Sequence, residues 1–138
     1  MDEKTKSSKI KKQLLYLSNT LGSKEDKLVI LGEGNTSARI DEKSFFIKAS
    51  GSQLANLKDN QLIPVRFDKI LAMINKKLSD KEVHNVLMAA KLDQSKLKPS
   101  VETSFHAWLL KQPEVRFIGH THPSAVLKIL CSEHVHSF

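Results

Sequence analysis

Cysteine is nearly absent from the chain: Cys131 stands alone in 138 residues. No intrachain disulfide can therefore brace the fold, and stability must come from buried apolar side chains, which a chain of this length can supply. Hydrophobic runs are short as well. None approaches the roughly 18 apolar residues of a membrane span, and no segment has the pattern of a signal peptide, so a reducing cytoplasm with no membrane partner is the expected setting. Arginine is scarce, occurring only at Arg39, Arg66 and Arg116. The net charge of +7 and pI near 9.5 are thus mostly lysine, crowded at Lys4, Lys6, Lys9, Lys11 and Lys12 and then scattered. No arginine-rich or aromatic-interleaved groove accompanies it, so the charge reads as a solvated surface rather than a nucleic-acid face; an anionic small molecule would also suit such a field. Repeats, low-complexity tracts and linkers are lacking, which leaves one domain over residues 1–138.

What is present alternates between helix and strand patterns. Ile10, Leu14, Leu17 and Leu21 recur at helical spacing and Gly22 follows as a stop, predicting an amphipathic helix preceded by a frayed tail. An apolar run, Leu28 to Leu31, leads into Gly32-Glu33-Gly34-Asn35-Thr36-Ser37, which reads as a glycine loop. Arg39-Ile40 and Phe45-Phe46-Ile47 then flank a polar turn as a hairpin. Ala49-Ser50-Gly51-Ser52 reads as a second small-residue loop, Leu62 to Phe67 as a strand whose Pro64 marks an edge or end, and Asp68 to Lys76 as a short helix. Ser79-Asp80-Lys81-Glu82 fits a capping box before Val83, Val86, Leu87 and Ala90. Pro99-Ser100-Val101-Glu102 opens a further helix with Val101, Phe105, Trp108 and Leu109 as its apolar stripe, ended by Pro113. A strand over Val115 to His120 and a last helix begun by Pro123 complete an α/β pattern.

Within that pattern His120-Thr121-His122 is the sharpest chemical signal. Residues two apart on an extended segment face the same way, so both imidazoles can reach one metal ion, although a stable site needs at least a third ligand. Glu102 lies on the helix that leads into the histidine strand. Beside a metal its carboxylate can move protons; alone it would merely complement the helix dipole. His106, four residues on and on the same helical face, can pair with Glu102 or bind metal with it, and an orienting or structural role is expected. Gly34-Asn35-Thr36-Ser37 and Ser50-Gly51-Ser52 expose amides and hydroxyls suited to an oxyanion. They lack the lysine and length of a P-loop, and Gly32 and Gly34 do not complete a dinucleotide fingerprint.

Gly-Asn-Thr-Ser at 34–37, Lys-Ala-Ser-Gly at 48–51, Pro-Ser-Val-Glu at 99–102 with His106, and His-Thr-His-Pro at 120–123 together resemble the class II aldolase and adducin family in order and spacing. The resemblance implies a three-layer α/β/α sandwich around a mixed sheet, assembled as a homo-oligomer, commonly a tetramer, with a divalent cation, usually zinc. It makes His120 and His122 metal ligands and Glu102 the catalytic acid/base. It assigns Gly34, Asn35, Ser50, Gly51 and Ser100 to the phosphate of a phosphorylated sugar. Where family aldolases often carry a second serine this chain has Val101, which puts one phosphate donor in doubt. The Pro-Ser-Val-Glu-Thr and His-Thr-His-Pro forms look most like the rhamnulose-phosphate aldolase-like branch.

The family's third metal histidine falls beyond Phe138, and His134 and His136 come too early to match it. The chain is therefore expected to be the N-terminal two thirds of the family domain, binding zinc weakly and inactive alone. The implied activity is cleavage of a ketose 1-phosphate, of rhamnulose or fuculose type, to dihydroxyacetone phosphate and an aldehyde. Pentulose-5-phosphate epimerisation, sugar-phosphate dehydration or decarboxylation, and a non-catalytic adducin-like module are the alternatives.

Overall fold

Residues 2–30 and 32–132 are described in a computed structural model. A four-stranded sheet runs in the order β3-β2-β1-β4, where β1 is Asn35–Arg39, β2 Ser44–Lys48, β3 Leu62–Arg66 and β4 Phe117–His120. All its pairings are antiparallel, whereas the resemblance implied a mixed sheet. Pro64 sits on edge strand β3, where its missing N–H breaks no ladder.

Because side chains alternate along a strand, the sheet has two apolar faces, and helices cover both. Phe46 and Ala38 point to α1 (Glu3–Leu21) and pack with Leu14, Leu57 and Leu62. Phe45, Ile47, Ile63 and Val65 point the other way, onto α2 (Phe67–Leu71), α3 (Asp80–Ala89) and α4 (Thr103–Leu110). The result is a three-layer α/β/α arrangement, with α5 (Ser124–Leu130) following β4. Each fully buried Phe, Leu or Ile contributes roughly 1.5–3 kcal/mol, so these two cores carry the fold.

Several elements differ from their sequence expectations. The tail before Ile10 is helical from Glu3, because the Asp2 carboxylate accepts from the Thr5 amide at 2.7 Å and caps the first turn. The helix expected from Asp68 to Lys76 ends at Leu71. The helix expected to open at Ser100 begins at Thr103, after a turn in which Ser100 Oγ accepts from the Glu102 amide at 3.3 Å. The capping box at Ser79 and Glu82 forms as the spacing predicts.

Gly22 does end α1, and it does so by close approach. Its φ of −80° suits any residue, but an added Cβ would lie 2.1 Å from the Ala55 backbone nitrogen. Gly22→Ala is therefore expected to destabilise the chain by about 3 kcal/mol, the upper part of the overpacking range, since backbone must shift. Chemical denaturation measures this; a loss under about 1 kcal/mol would show that the helix end and the Leu54–Asn56 turn separate freely.

Candidate metal centre and anion cleft

The segment expected as a glycine loop at residues 34–37 is, from Asn35 on, strand β1. Pairing with β4 sets Asn35 opposite His120, and each buried polar side chain of β1 has its own partner. Thr36 Oγ1 meets Ser18 Oγ at 2.7 Å on the α1 side, and Ser37 Oγ meets His106 Nδ1 at 2.7 Å on the other. Asn35 Nδ2 donates to Glu102 Oε2 at 2.9 Å. A polar run in a core is tolerated because the side chains of Asn35, Thr36 and Ser37 each meet a partner.

Glu102 stands at the start of α4, yet its carboxylate makes no capping bond there. It turns instead toward Asn35 and toward His120, whose Nδ1 lies 3.3 Å from Glu102 Oε1 without hydrogen-bond alignment. One turn along α4, His106 is fully buried. Single ligand atoms of Glu102, His106 and His120 all lie within 4.8 Å of one another. His120 and His122 face each other with ring centroids 4.7 Å apart, and the His122 amide donates to the Leu28 carbonyl at 2.8 Å, fixing the strand exit. His122 Nδ1 lies 3.9 Å from Glu33 Oε2, so its nearest carboxylate differs from that of His120. His134 and His136 lie outside the described residues.

Burial alone would raise the Glu102 carboxyl, but the Asn35 hydrogen bond, His120 and then His106 outweigh it and hold it below the usual range. His106 moves the other way: burial, opposed by Glu102 and assisted by His120, lowers it to about 4. At neutral pH the centre thus pairs a carboxylate with a neutral imidazole, the protonation states a metal requires. The nitrogens of His106 and His120 with the Glu102 carboxylate suit a divalent cation, and His122 is not among the atoms that converge.

Beside this centre is a cleft of about 310 Å³ lined by Gly32, Glu33, Gly34, Lys48, Ser50, Gly51, Ser100, Val101, Glu102 and His122. Of the five residues assigned to phosphate by resemblance, Gly34, Ser50, Gly51 and Ser100 line it; Asn35 lies beneath, spending one amide N–H on Glu102. The cleft forms because the end of β2 is bridged to Pro99: the Ser50 amide donates to the Lys98 carbonyl at 2.8 Å and the Ser100 amide to the Lys48 carbonyl at 3.3 Å. Gly34 is needed at the rim. Its φ is +78°, and a Cβ would meet Val29 at 2.7 Å.

Sequence reasoning about the loops passed over Lys48 and Glu33. Lys48 is buried, gives Nζ to the Ser52 carbonyl at 2.6 Å and is lowered by burial against the opposing pull of Glu102. Its signal was its place in the Lys-Ala-Ser-Gly motif. A larger hollow of about 740 Å³ near Lys43, Arg66, Phe67 and Lys111 includes none of the expected site residues. Chemistry rather than volume selects the smaller cleft.

This fold, with a carboxylate and imidazoles gathered at one end of its sheet, defines a class of three-layer α/β domains. By its match over residues 12–135 to the model described as the class II aldolase and adducin N-terminal domain, the chain belongs to the class II aldolase and adducin family. It is 34% identical over 131 residues to a Bacillus subtilis (strain 168) protein named uncharacterized oxidoreductase YuxG, covering 88% of this chain and 18% of that one. The solved N-terminal class II aldolase domain of a conserved protein from Thermoplasma acidophilum is 30% identical, with a TM-score of 0.73 over 87% of this chain and 58% of that one. An L-fuculose-1-phosphate aldolase from Thermus thermophilus, at 20% identity and a TM-score of 0.55, matches 89% of this chain and 51% of its own and shares the fold. The chain thus spans about a fifth of the curated relative and just over half of these solved chains. Among the described residues no helix is long and apolar enough to cross a membrane.

Proposed function

We propose that the chain carries the metal- and phosphate-binding part of a lyase that cleaves a ketose 1-phosphate of the rhamnulose or fuculose type to dihydroxyacetone phosphate and an aldehyde. The observation that supports this most is convergence. Glu102 and His122 share one cleft with Gly34, Ser50, Gly51 and Ser100, and His120 adjoins Glu102. In this reading His120 and His122 hold the cation, most simply zinc, which when bound supplies electrostatic stabilisation of the charge developing on the ketose oxygens. Glu102, kept ionised by Asn35 and His120, is the acid/base. Breaking the C3–C4 bond requires loss of the C4 hydroxyl proton and later protonation of C3, and in this reading Glu102, which lines the cleft, moves a proton there.

The amides of Gly34 and Gly51 and the hydroxyls of Ser50 and Ser100 bind the phosphate, with the second N–H of Asn35 as a further donor. Val101, Phe105 and Trp108 leave an exposed apolar stripe beside the site, which supports a homo-oligomer; the tetramer is taken from the family resemblance and the cytoplasmic setting from the single cysteine.

The phosphate assignment is tested by Ser100→Ala, with inhibition by a dihydroxyacetone phosphate analogue compared with its unphosphorylated counterpart. Loss of one bond to a charged group costs about 1.5–3 kcal/mol, so affinity for the phosphorylated inhibitor alone should fall roughly tenfold to hundredfold. Thermal melts run beside the binding curves control for the bond between Ser100 Oγ and the Glu102 amide. Equal weakening of both ligands would mean general disruption. Absence of any preference for the phosphorylated ligand in the unmodified enzyme would sink the sugar-phosphate reading.

A further inference from the structure

We propose that Lys91, which lies outside the cleft, is the positioning residue of its phosphate-binding wall: its buried ammonium fixes the loop of residues 92–98 and, through that loop, the placing of Ser50 and Ser100. The inference deepens the phosphate reading of the cleft and rests on it. Its first support is a loop with no ladder of its own. Among the described residues, 93–97 make no backbone–backbone hydrogen bond, although both ends of the loop are anchored. At the start, the Leu92 amide donates to the Pro64 carbonyl and the Arg66 amide to the Ala90 carbonyl, each at 2.9 Å, against edge strand β3. At the end, the Lys98 carbonyl accepts from the Ser50 amide and the Ser100 amide donates to the Lys48 carbonyl. Lys91 spans the gap between them.

The second support is how completely its ammonium is engaged. The Lys91 side chain is 4% exposed, and Nζ donates to the Ser95 carbonyl, to Ser95 Oγ at 3.0 Å and to the Leu97 carbonyl at 2.8 Å. An ammonium has three N–H donors, so all are used. Asp93 Oδ1, 3.3 Å away, supplies the opposing charge. A desolvated cation is stable only when paired in this way, and its loss would strip the two carbonyls and the Asp93 carboxylate of their partner together.

The third support is a parallel with Lys48, which is also buried and also donates to the carbonyl four residues on, that of Ser52. Each of the two loops that meet at the cleft is thus pinned by a lysine at its own start, and the Ser50–Lys98 bond of 2.8 Å knits them together beside the bridge at Pro99. Lys48 lines the cleft and Lys91 does not, so Lys91 acts through the wall and not on the ligand. A wall already ordered before the ligand arrives lowers the ordering cost of binding, and loosening it weakens affinity without removing a donor.

The test is Lys91→Met in the full chain, which keeps the apolar stem and removes the ammonium. Amide hydrogen exchange reads the wall, and calorimetric titration with glycerol 3-phosphate reads the ligand. Exchange at Ser50 and Ser100 should quicken at least about tenfold while exchange elsewhere in β2 holds, and affinity should fall about tenfold. Equal quickening throughout β2 marks a merely structural lysine and overturns the proposal. Unchanged exchange at Ser50 and Ser100 overturns it too, as does a loosened wall with unchanged affinity. If the unmodified chain does not bind glycerol 3-phosphate, the phosphate reading falls, and exchange alone decides whether Lys91 sets the wall. Should Lys91→Met fail to fold, Lys91→Arg takes its place, since arginine keeps the charge but not the compact ammonium that reaches both carbonyls; normal exchange and affinity there overturn the proposal.

Discussion

If the proposed lyase reading holds, replacing Glu102 by Gln in a full-length protein that carries this chain is expected to lower turnover of a ketose 1-phosphate by about two to four orders of magnitude, the range for a lost general acid or base, while metal content stays near that of the unmodified protein. Glutamine preserves size and can still accept from Asn35 Nδ2, so the 2.9 Å contact that orients the side chain has a substitute. What disappears is the ionisable group. Asn35 and His120 hold the carboxyl below its usual range, which means it is fully ionised at neutral pH and ready to accept a proton. Its lack of any capping bond on α4 separates this outcome from a purely structural one. Turnover and bound metal, measured together, decide the matter. Near-normal turnover would remove Glu102 from the chemistry, and a parallel loss of metal would make it chiefly a ligand.

The second large effect is on acid stability. Unfolded, His106 takes up a proton near its ordinary 6.5; folded and metal-free, it does so only near 4. Between those values the unfolded state binds the additional proton. Stability therefore falls as pH drops below about 6.5, and the contribution, on the order of 3 kcal/mol, is lost by about pH 4. Denaturant unfolding of the chelator-treated chain across this window should show the slope, and His106→Asn should flatten it, since asparagine does not titrate. Parallel pH profiles for the two proteins would mean that the His106 ring is hydrated or charged in the folded state.

The order of helices and strands was readable because their signals are local. The Ser79–Glu82 box, the Phe45–Ile47 strand and the glycine after Leu21 each act within a few residues, and all appear where expected. His120 and His122 were legible as a pair because a period of two is a property of the chain alone. The first turn of α1 was missed because a single capping carboxylate, Asp2, outweighs the absence of apolar periodicity before Ile10. Asn35, Thr36 and Ser37 were read as loop because small polar residues favour turns. They form a strand because Glu102, Ser18 and His106, all distant in sequence, satisfy their side chains.

The sequence alone therefore carried the α/β class and the family, both of which depend on residue type and spacing. Which groups meet was left to the tertiary arrangement. Sheet register put Asn35 opposite His120, a backbone bridge at Pro99 closed Ser50 and Gly51 onto Ser100, and α4 turned His106 inward beside Glu102. Long-range pairing made those choices, because a buried polar group is stable only where a partner from another part of the chain reaches it.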